Sequence, residues 1–364
     1  MKRIVAGFLS VVMVMGLAGC GSSNETTAAP TTATTAATTA AETQSGETTG
    51  DAGSAKEYDE LNLRISVAGT EQGVDAISAQ KFADDVAEAS DGKIKITVYP
   101  SSQLAGGDLT KMMELFMAGG SYEMCIISGI VMSNVDQRFL AHTLPFEFKN
   151  YDEVNAMLDG SGGEYYTELL ETMGIVSLGA MHNGLKQYTN NKKEILTPDD
   201  MKGLKIRVPS GTVSVKTMQA LGADPVTMAW SEVYTALQQG TVDGHENSYQ
   251  TIYSANIQEV QKYVTELNWQ YDGYWFMVNQ NDWNGYSEDT KELLTEKAAE
   301  ACEFGRNYMY EQEVLIKDIF KEAGVTISVL TEEQRQAFID ATAGVRAEFI
   351  QEIAEACAAW NVTE

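Results

Sequence analysis

Leu61, Leu63, Ile65 and Val67 alternate with Asn62, Arg64 and Ser66, the period of a half-buried strand. The period then changes. Ile77, Ala79, Phe82, Ala83, Val86 and Ala89 recur at helical spacing over residues 74–90, and Asp91-Gly92 supplies the glycine common just past a helix end. Ile94, Ile96 and Val98 predict a second alternating strand ending at Pro100, and residues 108–118 a second helix stopped by Gly119-Gly120. Residues 122–128 are almost continuously apolar, as in a strand buried on both faces of a parallel sheet. This is a βαβαβ run whose connections allow right-handed crossovers. Ligands of such open sheets bind beyond the carboxyl ends of the strands. The loops Thr70-Glu71-Gln72, Ser101–Gln103 and Ser128-Gly129 are therefore expected to face a cleft, with Glu71 and Ser128 as candidate contacts. Taken singly, each is more often a turn or cap residue.

Residues 151–158 and 164–173 predict helices, and 175–181 a strand. After His182-Asn183-Gly184 a second α/β unit begins. Thr197-Pro198-Asp199-Asp200 signals a helix start or turn. In the strand 204–209, Leu204, Ile206 and Val208 share one face, and Lys205 and Arg207 the other. Ser210-Gly211-Thr212 opens a helix ended by Gly222, a short strand covers 226–228, and residues 231–239 form a helix ended by Gly240. Thr241-Val242-Asp243-Gly244 returns the chain to the sheet, with His245-Glu246-Asn247 at the strand end.

The chain has 364 residues, enough for two domains with their own cores. Its formal charge of -27 argues against nucleic acid and against an anionic membrane surface as partners. The N-terminus reads as a secretory signal over residues 1–19, with Lys2 and Arg3 ahead of a short apolar run. Leu17-Ala18-Gly19-Cys20 resembles a bacterial lipobox, so Cys20 is expected to carry lipid and anchor the protein outside the cytoplasm. Residues 20–57, rich in Thr, Ala, Ser, Gly and Glu, offer almost nothing to bury and predict a disordered tether. Cys125, Cys302 and Cys357 match no metal or redox spacing and are read as buried free thiols.

Against the acidic background, the window 186–207 holds Lys186, Lys192, Lys193, Lys202, Lys205 and Arg207 against Glu194, Asp199 and Asp200, six minus three, or +3. Arg207 is the only arginine between Arg138 and Arg306. It lies near a strand's carboxyl end beside a helix start, where a carboxylate would meet a planar fork and free backbone N–H groups. Asn247 offers a donor and an acceptor together, and Trp230 an apolar wall. The plainer readings are a helix cap for Asn247, core for Trp230 and a solvated face for the lysines.

These segments resemble the solute-binding proteins of tripartite ATP-independent periplasmic (TRAP) transporters, the DctP-type family. The resemblance is carried by Asp200-Met201-Lys202-Gly203-Leu204-Lys205-Ile206-Arg207-Val208-Pro209, by Ala220-Leu221-Gly222-Ala223-Asp224-Pro225, by 231–238, by Thr241-Val242-Asp243-Gly244 with Glu246-Asn247, and upstream by 96–104. It implies an α/β, two-lobed, periplasmic-binding-protein-like (class II) fold with discontinuous lobes. One lobe would comprise 58–183 plus 272–311, the other 184–271 plus 312–364. A long helix over residues 290–323 would run behind both, and the C-terminal helix would finish on the second. The resemblance further implies that Arg207 bonds the ligand carboxylate, that Asn247 contacts the same end, and that Trp230 lines the pocket. At Asn183-Gly184-Leu185-Lys186 the chain departs from a family pattern with a second arginine. Lysine is a point charge and cannot reproduce a bidentate fork, though Lys186 remains a candidate contact.

The leading expectation is an extracytoplasmic, monomeric receptor that delivers a small organic acid (a C4-dicarboxylate, sugar acid, 2-oxo acid or aromatic acid) to TRAP membrane subunits. No cofactor or metal is expected. The alternatives are a ligand-sensing module for a membrane signalling protein, and an enzyme. His142, His182 and His245 sit in no zinc spacing or nucleophile elbow, and His245-Glu246 alone is weak support for a general base.

Overall fold

The computed structural model describes residues 56–363; the signal, Cys20 and the tether lie outside the described residues. It contains eleven strands: β1 (Leu61–Val67), β2 (Ile94–Tyr99), β3 (Met124–Ser128), β4 (Ile175–Leu185), β5 (Gln187–Asn190), β6 (Lys205–Val208), β7 (Asp224–Thr227), β8 (Gly244–Asn247), β9 (Tyr263–Glu266), β10 (Tyr271–Asn279) and β11 (Thr326–Val329). They form two sheets, ordered β2-β1-β3-β10-β4 and β11-β9-β5-β8-β6-β7. The first is mixed, because β3 pairs with β1 in parallel but with β10 antiparallel. All five residues of β3 are buried, as its apolar run demands, although only one of its neighbours is parallel.

The alternating β1 and the helix Val74–Ala89 close one core around Phe82, whose ring meets Phe276 edge-on at 4.8 Å. The 35-residue helix Glu288–Glu322 is about 52 Å long at 1.5 Å per residue. Ser287 caps it by accepting from Thr290 N, and Glu288 and Asp289 suit its positive end. Leu293, Leu294, Ala298 and Cys302 pack into the first lobe, whereas Ile316 and Phe320 pack into the second. One apolar stripe thus serves two cores.

The chain crosses between lobes side by side with itself. β4 passes through Lys186 into β5, and β9 returns through Asn268–Gln270 into β10. Lys186 N donates to Gln270 O at 2.8 Å and Trp269 N to Lys186 O at 3.2 Å, so the crossing is a hydrogen-bonded ribbon.

The C-terminal segment departs from expectation. Helix Glu332–Glu352 begins on the second lobe with Phe338, but Phe349, Ile353, Cys357 and Trp360 enter the first lobe's core. Trp360 lies 4.9 Å from Tyr166 and 5.3 Å from His142, ring to ring. These large apolar residues find there an aromatic cluster that the second lobe lacks, so the segment 312–364 does not belong wholly to the second lobe.

Candidate functional site

Three kinds of element converge between the lobes. From the first lobe comes Ser128, at the carboxyl end of β3. The crossing strands bring Asn183, Lys186 and Asp272. The second lobe contributes Arg207 on β6, Asn247 on β8, and Trp230 and Thr251 at helix starts. Together they line a chamber of about 40 Å³, also bounded by Ala68, Leu109 and Tyr274. A larger cavity of about 630 Å³ adjoins it, sharing Ala68, Leu109 and Trp230. Glu71 lines that outer cavity with Gln72 and Gln103, and is not among the residues of the inner chamber. Ser128, Lys186, Arg207, Trp230 and Asn247 are brought together; Glu71 stands apart, on a loop turned outward.

Arg207 is buried. Its Nε and one Nη2 proton donate to the Met228 carbonyl at 3.1 and 2.8 Å. A guanidinium has five N–H donors in a rigid fork, so the Nη1/Nη2 end is left to serve a second partner. Its carbon lies 5.5 Å from the centroid of Trp230, within cation–π range. Among the described residues no carboxylate forms an ion pair with it. Burial lowers its pKa to about 10, against the pull of Glu246.

Lys186 is not free in this way. Its Nζ lies 3.1 Å from Glu246 Oε2 and 3.4 Å from Oε1, with both residues buried. Burial pushes the Glu246 carboxyl up, while Lys186 and Arg207 pull it down. The other lysines of the basic window are solvated: Lys192, Lys193 and Lys202 pair with Asp243, Asp200 and Asp199 at the surface.

Sequence reasoning missed Asp272 and Asn183. Asp272 Oδ2 accepts from Ser128 Oγ at 2.5 Å and Asn183 Nδ2 at 2.8 Å, and Oδ1 from Ile130 N at 3.3 Å. Burial raises the Asp272 carboxyl, but His142, Lys186 and Ser128 outweigh it and hold it below its usual range. Asn183 Oδ1 accepts from Thr251 Oγ1 of the second lobe at 3.1 Å, so the Ser128–Asp272–Asn183–Thr251 chain joins the ribbon to both lobes. Asn183 is re-aimed by a bulge: Asp272 pairs with Gly184 and Gly273 with His182, leaving Asn183 unpaired in the ladder. Gly184 makes the bulge possible, with φ +118 and only 2.7 Å between its would-be Cβ and Ser248 Cβ. The signal was there: Asp272 is a lone charge within the apolar run Tyr271–Val278.

The remaining titratable groups are structural. Burial depresses His182 and His245 to about 3 and lowers His142, so burial holds all three neutral. Beneath the Glu71 loop, buried Asp75 Oδ2 accepts from Gly69 N at 2.6 Å, and burial raises its pKa to about 6. Cys125, Cys302 and Cys357 are buried free thiols.

Two α/β lobes on a crossing ribbon, closing over a buried arginine, define a two-lobed solute-binding receptor. Residues 66–352 match the family model described as bacterial extracellular solute-binding protein, family 7 (DctP), and the chain belongs to that family. It is 34% identical over 277 residues to the C4-dicarboxylate-binding periplasmic protein of Rhodobacter capsulatus, covering 76% of this chain and 82% of that one. It is 29% identical over 293 residues to the 2,3-diketo-L-gulonate-binding periplasmic protein of Escherichia coli, covering 80% and 88%. Among solved structures, it resembles the sugar acid binding protein of Advenella mimigardefordensis in complex with galactonate, with TM-score 0.80, 26% identity, and 84% and 98% of the two chains covered. It also resembles a TRAP periplasmic solute-binding protein of Sulfurospirillum deleyianum with bound succinate, with TM-score 0.78, 27% identity, and 84% and 100% covered.

Proposed function

We propose that this protein is an extracytoplasmic receptor that holds a small organic carboxylate between its lobes and delivers it to the membrane subunits of a TRAP transporter. The observation that carries this reading is Arg207. It is a buried cation that lines the chamber, its guanidinium held by the Met228 carbonyl with the other N–H groups unbonded among the described residues. Two parallel charge-assisted hydrogen bonds to a carboxylate are what that geometry suits. Asn247 Oδ1 accepts from Ser248 N, which leaves the amide N–H groups of this chamber-lining residue without a hydrogen-bond partner among the described residues. Trp230 walls the chamber, and Lys186 acts chiefly by neutralising Glu246.

We read the site as one that binds and does not react. The three histidines are absent from the chamber lining, and burial depresses His182 and His245 to about 3, which makes them weak bases at neutral pH. Attachment to the membrane rests on Cys20 in this reading, since among the described residues no helix is long and apolar enough to cross one. The test is a thermal-shift screen of organic acids against the purified protein. A bound acid raises the melting temperature by mass action. If no carboxylate raises it, the receptor reading fails.

A further inference from the structure

The charges around the chamber, and the hydrogen-bond commitments of its polar side chains, specify more than a carboxylate. Arg207, Lys186 and Asp272 line the chamber, and buried Glu246 lies behind Lys186, so two basic and two acidic side chains gather at the site. Each of the two acids is already engaged, Glu246 by Lys186 and Asp272 by Ser128, Asn183 and Ile130. Arg207 presents an unbonded guanidinium end, whereas Lys186 gives up to two of its three N–H groups to Glu246. One ligand carboxylate matches the guanidinium, while a second, at the far end of a longer ligand, would reach an outer cavity lined by Glu71 and by no cation.

The neutral groups tell the same story from the other side. Ser128 gives its single hydroxyl proton to Asp272 and accepts from Ile130 N at 3.2 Å, so it meets a ligand only as an acceptor. Thr251 gives its proton to Asn183 and is likewise an acceptor toward anything else. Acceptors repel carboxylates and receive hydroxyls.

The space points the same way. At roughly 10–15 Å³ per water-sized site, the 40 Å³ chamber takes about three or four non-hydrogen atoms, a carboxylate and its first carbon. The rest of a longer ligand continues past Trp230 into the outer cavity. That cavity is lined by one carboxylate, Glu71, and by uncharged residues such as Gln72, Gln103 and Ser231, and by no lysine, arginine or histidine.

We infer that the ligand is a hydroxylated monocarboxylate of the sugar-acid class, in preference to a C4-dicarboxylate. The inference rests on the receptor reading, and adds which carboxylates this site selects. Relatives of comparable similarity bind acids of both kinds, so kinship does not decide between them.

The test is isothermal titration of the full-length protein, freed of copurified ligand, with D-galactonate, D-gluconate and D-glucuronate, and with succinate, malate and fumarate. The expected result is that the tightest sugar acid binds at least about tenfold more tightly than the tightest diacid. A diacid that binds as tightly or more tightly overturns the inference and leaves the receptor reading standing. A protein that binds none of the six overturns the inference, and failure across the wider acid screen takes the receptor reading with it. A second arm uses Glu71→Lys, which places a cation in the outer cavity. It should narrow the sugar-acid-to-diacid ratio by about threefold, the scale of an exposed charge pair. A ratio that stays the same or widens also counts against the proposal.

Discussion

The Arg207 fork makes a quantitative demand on ligand affinity. Replacing it with alanine removes two charge-assisted bonds, each worth about 1.5–3 kcal/mol. Truncating one partner of a buried charged pair costs about 2–5 kcal/mol in binding. Because Arg207 is buried and the chamber's other cation, Lys186, is paired with Glu246, the upper part of that range applies. About 3–5 kcal/mol corresponds to an affinity loss of roughly 150- to 5,000-fold. Arg207→Lys should fall between, since a lysine keeps the charge but cannot make the fork. The ligand-free protein should be little affected. Burial already disfavours the charged guanidinium, as its pKa near 10 shows. Removing it relieves that cost while losing only the bonds to Met228 and the contact with Trp230. The apo melting temperature should therefore move by no more than about 4 °C. Calorimetry with the best acid from the screen, at fixed ionic strength, supplies the measurement. An Arg207→Ala affinity within about threefold of wild type, against the tenfold expected of even 1.4 kcal/mol, would refute the assignment of the carboxylate to this residue.

Lys186 should behave in the opposite way. Lys186→Ala leaves Glu246 buried without its counter-ion, a loss of about 3–5 kcal/mol, or roughly 6–20 °C in melting temperature. It should weaken ligand binding less than Arg207→Ala does. The double variant Lys186→Met with Glu246→Gln should recover most of the lost stability, and failure to do so would show that the pair is not the cause. Asp75 gives a pH signature. Burial raises its folded pKa from 3.8 to about 6, so between those values the folded chain holds a proton that the unfolded chain has released. That contribution to stability is complete below about pH 4 and is lost as pH rises through about 6, a change of roughly 3 kcal/mol. Urea midpoints from pH 4 to 7 should flatten by that amount in Asp75→Asn, and an unaltered slope would assign the titration elsewhere.

Where the hydrophobic pattern has a clear period, the elements follow it closely. The alternation over β1 and β2 and the helical spacing over Val74–Ala89 are visible because each buries one face and wets the other. Arg207 drew notice for a different reason, since a lone arginine at a strand's carboxyl end contradicts the protein's overall charge, and Trp230 and Asn247, singled out by the resemblance, line the same chamber. Asp272 stood out as a lone charge in an apolar run, but its partnership with Asn183 was hidden, because it runs through a bulge and a ribbon whose register depends on residues almost ninety positions apart. Glu71 shows the limit of strand-end reasoning. The loop lies where expected, but only coordinates reveal that it turns into the outer cavity. The C-terminal helix was misplaced for a related reason. Its stripe has the right period, yet period alone does not say which of two cores Trp360 will join.

That last placement bears on how this protein could be made into an optical sensor. Residues 56–59 are tied to the start of the long helix through Lys56–Glu292, Glu57–Asp289 and Asp59–Thr290 contacts. Residues 357–362 are packed into the same lobe. Fluorophores fused at the two ends of the described chain would therefore sit on the same lobe, and their separation would not report on the distance between the lobes. A pair that reports on that distance needs one dye on the other lobe. The exposed turn at Gln239-Gly240-Thr241, between a second-lobe helix and β8, is the natural place to insert it.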